Sequence, residues 1–299
     1  MTLVVILALI IGLLLGLLGG GGSVLTVPVM VYVVGLEPKS AIATSLIVVG
    51  TTSLVAVIGH WRAGRVCWKN ALAFGLAGMT GAYGGGRVAA FIPGNILLIL
   101  FAAVMLATAI AMLRGRKERA VPRSGSLCPA RVNVPAVVFD GFLVGAINGL
   151  VGVGGGFVIV PALNLLGGLP MHAAIGTSLL VISMNSAAAL AGYISHVGID
   201  WHLVAIFTGA AVAGSLIGGL LSKRVSGTAL RRVFGVFVIG VAGYLFYREL
   251  NWEVLAEVQE LLLEHRDFVL GVLTASLVPA LFWLRSLLQD LGRSHRSML

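Results

Sequence analysis

Long apolar stretches separated by short polar connections dominate this chain. Residues 3–18, 41–58, 71–88, 96–113, 174–194, 203–221, 233–246 and 268–284 reach or approach the roughly 20 apolar residues a spanning helix needs. The pattern predicts an all-α polytopic membrane protein. Two runs are interrupted at their ends by glycine. Leu18 is followed by Gly19, Gly20, Gly21, Gly22 and Ser23, and Gly149 leads into Gly152, Gly154, Gly155 and Gly156. A short apolar piece containing Pro28 follows the first break, and one containing Pro161 follows the second.

These breaks belong to an internal repeat. Shifted by 133 residues, the chain aligns with itself without a gap: Gly12 falls on Gly145, Gly16 on Gly149, Gly21-Gly22 on Gly154-Gly155, and Pro28 on Pro161. Further on, Gly35-Leu36 matches Gly168-Leu169, Thr44-Ser45-Leu46 matches Thr177-Ser178-Leu179, and Trp68 matches Trp201. Gly81 and Gly85-Gly86 fall on Gly214 and Gly218-Gly219. Paired Pro, Trp and Thr-Ser matches in one register mark a duplication. The chain divides into a first transmembrane repeat (1–114), a basic linker (115–133), a second repeat (134–248), and a terminal part (249–299) with an acidic interfacial helix, a last span and a basic tail.

Composition removes other classes. Of 299 residues, 59% are hydrophobic and only 10% charged, where soluble domains carry about 25%. Mean hydropathy is +1.05, so the solvent for this surface is lipid bilayer. The net charge of +9 sits in short connections with no basic aromatic groove, which argues for membrane topology signals rather than nucleic-acid binding. Cys67 and Cys128 have no metal-ligand spacing and argue against a disulfide framework. The first apolar segment matches an internal copy and lacks a small-residue cleavage site, so it is expected to be structure, not a signal peptide.

Charge also orients the two copies. The 59–70 connection carries Arg62, Arg65 and Lys69, whereas its counterpart has no Lys or Arg and carries Asp200. Conversely, the 90–97 connection is neutral while its counterpart carries Lys223, Arg224, Arg231 and Arg232. With basic loops in the cytoplasm, the copies lie upside down to each other as inverted-topology repeats, provided that each glycine-broken stretch enters and leaves on one side. The linker then lies inside and the acidic 248–267 segment outside, in a multi-pass protein of the cell inner (plasma) membrane.

Non-helical backbone survives in hydrocarbon only when buried in protein or lining a cavity. Two equivalent glycine breaks therefore suggest paired half-helices whose free N–H groups face a ligand, with the helix dipole favouring an anion. Gly21, Gly22, Ser23, Gly154, Gly155 and Gly156 are the candidate backbone set. Thr44, Ser45, Thr177, Ser178 and Asn185 are candidate side-chain donors, since hydroxyls and amides wrap an oxyanion without a buried charge. Interhelical hydrogen bonding is the competing account of these groups. Asn148 beside the second break has only Leu15 as its counterpart. Lys39 and His172 occupy equivalent mouths and are expected to be solvated loop residues. Arg87 snorkels to the outer surface, and Asp140 is interfacial. His60 and Tyr193 are equivalent and carry no assigned role.

The two glycine stretches, each with its proline, together with Ala41–Leu46, Ala174–Leu179 and the matched Gly81–Gly86 and Gly214–Gly219 runs, resemble the paired motifs of the sulfite exporter TauE/SafE family. The likeness extends to about Phe246. Gly20 and Ser23 stand where the second copy has Val153 and Gly156, so the half-sites are not identical. The resemblance implies a permease, not an enzyme, moving a small sulfur-containing or organic oxyanion such as sulfite, a sulfonate or sulfoacetate outward, without a cofactor or metal. A passive anion channel is the alternative. No buried carboxylate pair marks a coupling ion, whether proton or sodium.

Overall fold

The computed structural model describes residues 2–20, 22–114, 128, 134–151, 156–193, 197–222, 225 and 227–249. They belong to one compact unit, Met1–Glu249; a second unit is Leu250–Leu299. The expected linker (except Cys128), acidic helix and last span lie outside the described residues, as do Gly21, Gly154 and Gly155.

The described residues are helical, with no strand among them. The first copy forms α1 (Thr2–Leu18), α2 (Ser23–Tyr32), α3 (Pro38–Arg62), α4 (Trp68–Ala89) and α5 (Gly94–Arg114). The second forms α6 (Val134–Val151), α7 (Gly156–Pro161) with a π-helical turn (Ala162–Leu166), α8 (Met171–Tyr193), α9 (Trp201–Leu221) and α10 (Gly227–Glu249). Among the described residues, three helices, α3, α8 and α9, are long and apolar enough to cross a membrane.

Local causes recur with the repeat. Proline lacks a donor and crowds the preceding turn, so α2 is short around Pro28 and α7 passes at Pro161 into a π turn. Both half-helices end alike. Leu36 N–H bonds the Met30 carbonyl at 3.0 Å and Leu169 N–H that of Leu163 at 3.1 Å. Gly35 and Gly168 occupy the left-handed region between them, at φ +82° and +64°. Each bond reaches one residue further back than the six-to-one closure of a Schellman cap, and glycine at the left-handed position avoids the Cβ penalty.

Packing joins the copies crosswise. The first helix of each copy lies against the fourth of the other, α1 on α9 and α6 on α4. A Cβ on Gly12 would collide with the Ala211 backbone, and one on Gly145 with that of Gly78, its equivalent 133 residues on. Gly16 against Ser215 repeats as Gly149 against Ala82, and Gly214 against Leu9 as Gly81 against Phe142. Small residues allow this backbone approach, the form of packing available where lipid offers no hydrophobic drive between helices.

The third helices meet at the centre. Gly50 of α3 packs on Ser186 of α8, while Arg65, just past the end of α3, packs on Gly176 near the start of α8. Hence α3 and α8 run antiparallel. By contrast, Gly75 meets Met184, Gly78 meets Asn185 and Gly86 meets Gly192, so α4 runs parallel to α8.

One expectation from sequence is corrected. Cys67 and Cys128 are joined by a disulfide, with Cα atoms 5.5 Å apart. Cysteine spacing cannot anticipate this, because the two partners stand 61 residues apart in sequence.

Candidate substrate-binding site

The first glycine turn begins where Gly19 N–H closes on the Leu15 carbonyl at 2.8 Å. Gly19 then turns left-handed at φ +68°, and a Cβ there would lie 2.8 Å from Ile175 Cα. Glycine is required by both conformation and space. The adjacent Gly20 rests on the backbone of Gly156, leaving no room for a side chain on either. Gly156 also faces Ile182, whose Cδ1 would be 2.9 Å from an added Cβ. The two breaks thus touch through Gly20 and Gly156.

Hydroxyls hold this junction. Ser23 Oγ donates to the Gly20 carbonyl at 2.6 Å, and Ser178 Oγ donates across the copies to the Gly19 carbonyl at 2.7 Å and locally to that of Ile175 at 2.8 Å. Thr177 Oγ1 accepts the Cys67 N–H at 3.0 Å, fixing the α3–α4 connection to α8. Of the candidate residues, Ser23 and Ser178 are therefore engaged in shaping the turns, and Thr177 in anchoring the α3–α4 connection. Thr44 and Ser45 are buried on α3. In the repeat register, Gly152 is the counterpart of Gly19 for Ser45, and it lies outside the described residues.

A second group of polar side chains is buried without partners. Ser45, Thr52, Ser53 and Ser186 have unpartnered hydroxyls; Asn185 lacks partners for both its amide atoms and Asn148 for its Nδ2. Thr52, Ser53, Asn185 and Ser186 are each at most 1% exposed. An unsatisfied buried group costs about 1–3 kcal/mol, and native structures carry few. Thr52, Ser53 and Ser186 were not singled out as candidates from sequence. Their signal was available, because Thr52 falls on Asn185 and Ser53 on Ser186 in the 133-residue register.

Other polar residues have structural work. Lys39 Nζ donates to the Ala90 carbonyl at 2.8 Å, and His172 Nε2 lies 3.2 Å from that of Val225. Contrary to the expectation of solvated mouths, each ties the start of a third helix to the connection between its copy's fourth and fifth helices. Tyr193 Oη donates to the Leu150 carbonyl at 3.1 Å, at the end of α6 beside the second break. Arg87 is exposed and Asp140 half-buried. Among the described residues no group of His, Cys, Asp or Glu is placed to hold a metal.

Apolar helices packed through glycine, with neutral polar groups buried at paired breaks, belong to a membrane transport protein. The chain is a member of the sulfite exporter TauE/SafE family, whose model matches residues 4–245. It is 37% identical to a probable membrane transporter protein of Xylella fastidiosa strain 9a5c, over 80% of this chain and 92% of the relative. It is 26% identical to probable membrane transporter protein YunE of Bacillus subtilis, over 75% of this chain and 88% of that protein. No solved structure matches the chain. Family and relatives are transporters rather than enzymes.

Proposed function

We propose that the chain is a multi-pass secondary transporter of the inner membrane that moves a small sulfur-containing or organic oxyanion, such as sulfite, a sulfonate or sulfoacetate, outward. The observation that carries this is the meeting of the two glycine breaks at Gly20 and Gly156. Backbone N–H groups of Gly21, Gly22, Gly154, Gly155 and Gly156 supply donors to the anion. Ser45 and Asn185 add side-chain donors, while Ser23, Thr44, Thr177 and Ser178 shape and line the turns.

The two copies are proposed to sit as inverted-topology repeats, with one unit rocking against the other to give alternating access. The antiparallel run of α3 and α8 and the recurrence of contacts at 133 residues support this arrangement.

The test is flux into proteoliposomes loaded with sulfite, thiosulfate, sulfonates or carboxylates, with and without a proton or sodium gradient. Concentrative uptake or counterflow of an oxyanion is expected. Flux that only dissipates a gradient would indicate a passive anion channel.

A further inference from the structure

The disulfide joins Cys67, at the start of α4, to Cys128, six residues before α6. These two helices run parallel, because Cβ atoms on Gly141, Gly145 and Gly149 would meet the backbone of Phe74, Gly78 and Ala82 in turn. Each of these pairs is 67 positions apart. The same register sets Cys67 level with Val134, the first residue of α6. The bond therefore clips the α4–α6 pair at one end.

That end is connected to the glycine junction through α8. Cys67 N–H bonds Thr177 Oγ1 at 3.0 Å, and a Cβ on Gly176 would lie 2.7 Å from the Arg65 carbonyl oxygen. The next residue, Ser178, holds the Gly19 carbonyl. Three successive residues of α8 thus join the α3–α4 connection to the first glycine break.

The fold does not call for a covalent bond at this place. In the repeat register Cys67 falls on Asp200, which starts α9 by accepting the His202 and Leu203 N–H groups at 3.0 and 3.1 Å. A disulfide also joins only segments that share one side of a membrane. One segment here carries Arg62, Arg65 and Lys69, the other Arg123 and Arg131, and the proposed topology sets both in the cytoplasm. Thiols are kept reduced there, and a disulfide that does form is as a rule transient, catalytic or redox-sensing.

We propose that Cys67 and Cys128 form a reversible thiol–disulfide site on the cytoplasmic side, and that closing the bond arrests transport. The proposal rests on the transporter reading above and adds its regulation. Alternating access needs an opening to the cytoplasm, which must part the α3–α4 connection from the start of α8. With the bond closed, that connection leaves α8 only by taking the entry of α6 with it.

The chemistry is thiol–disulfide exchange. Cys128 is half-buried and Cys67 buried, so an incoming thiolate attacks the Cys128 sulfur. The S–S bond breaks, and Cys67 leaves as a thiolate and takes up a proton. A second thiolate resolves the mixed disulfide, freeing Cys128 and leaving the reductant as a disulfide. Closing runs in reverse: the two cysteine thiols give two electrons and two protons to a disulfide such as oxidised glutathione, which becomes two thiols.

The experiment is initial-rate flux in proteoliposomes containing the full chain, equilibrated at graded ratios of reduced to oxidised glutathione. Radiolabelled methanesulfonate, sulfoacetate and sulfite are the probes, and a maleimide gel shift counts free thiols in each sample. Sulfite itself cleaves disulfides, so its rates are taken only while the gel shift shows the bond intact. Flux is expected to fall about tenfold as the bond closes, a usual size for coupling between sites, and to follow the thiol count. The chain with Cys67→Ser and Cys128→Ser should keep the open-bond rate at every ratio. In cells producing the full chain, acid quenching and alkylation should find two thiols during growth and the disulfide after treatment with diamide, a thiol oxidant.

Equal rates with the bond open and closed, or equal slowing of the chain without cysteine, overturn the switch and leave the transporter reading standing. A bond closed throughout growth, or absent after diamide, overturns it too. A protein that carries no probe in either state overturns both.

Discussion

At the residue scale, the junction depends on atoms too small to replace. Gly20 and Gly156 lie backbone to backbone, so Gly20→Ala and Gly156→Ala should each destabilise the protein by about 1–3 kcal/mol, the usual range for overpacking. Thermal unfolding of purified protein in detergent checks this. Gly59→Ala in α3, where an added Cβ meets open space, should not lower the midpoint and should raise it slightly, because alanine favours a helix over glycine. Ser178 acts differently, because its hydroxyl satisfies the buried Gly19 carbonyl of the other copy. Ser178→Ala leaves that acceptor unpaired and should cost about 1–3 kcal/mol, with Ser178→Thr recovering part of it.

At the element scale, the antiparallel run of α3 and α8 makes a geometric prediction. Gly50→Cys with Ser186→Cys, in a chain whose native cysteines are serine, should form a disulfide under mild oxidation, since the positions bring Cβ atoms to bonding reach. Arg65→Cys with Gly176→Cys should also cross-link. Mobility on a non-reducing gel after cleavage between the paired sites reads both, and failure of the second pair with success of the first would deny the antiparallel run.

Much of this element plan was legible in the chain. Apolar length marked the helices, the 133-residue register marked the copies, and the glycine clusters marked the breaks. Which elements pair was not legible, because Gly12 and Gly78 announce close packing without naming a partner. Nor does periodicity tell a hydroxyl that bonds its own helix, such as Thr51, from one that crosses to the other copy, such as Ser178. Thr52 and Ser53 looked like ordinary helix polar residues until burial showed them without partners. Cys67 and Cys128, 61 residues apart, carry no local sign of their bond.

At the scale of the whole molecule, opposite charge bias in equivalent connections predicts opposite exposure. In a cysteine-free background, Ala63→Cys and Gly198→Cys place thiols at exposed sites in the two equivalent loops. A membrane-impermeant thiol reagent added to intact cells should label Gly198→Cys alone, and labelling of both from one side would rule out the inverted arrangement.

The crosswise seating of α1 on α9 and of α4 on α6 also bears on how such a chain is made. When a ribosome has delivered only the first copy, the glycine faces of α1 and α4 have nothing to lie against, and their true partners, α9 from Trp201 and α6 from Val134, emerge only with the second copy. The early half must therefore wait in the bilayer, shielded by lipid or by the insertion machinery, until its twin arrives. Half-length chains made separately should be degraded, and the same halves made together should rescue one another.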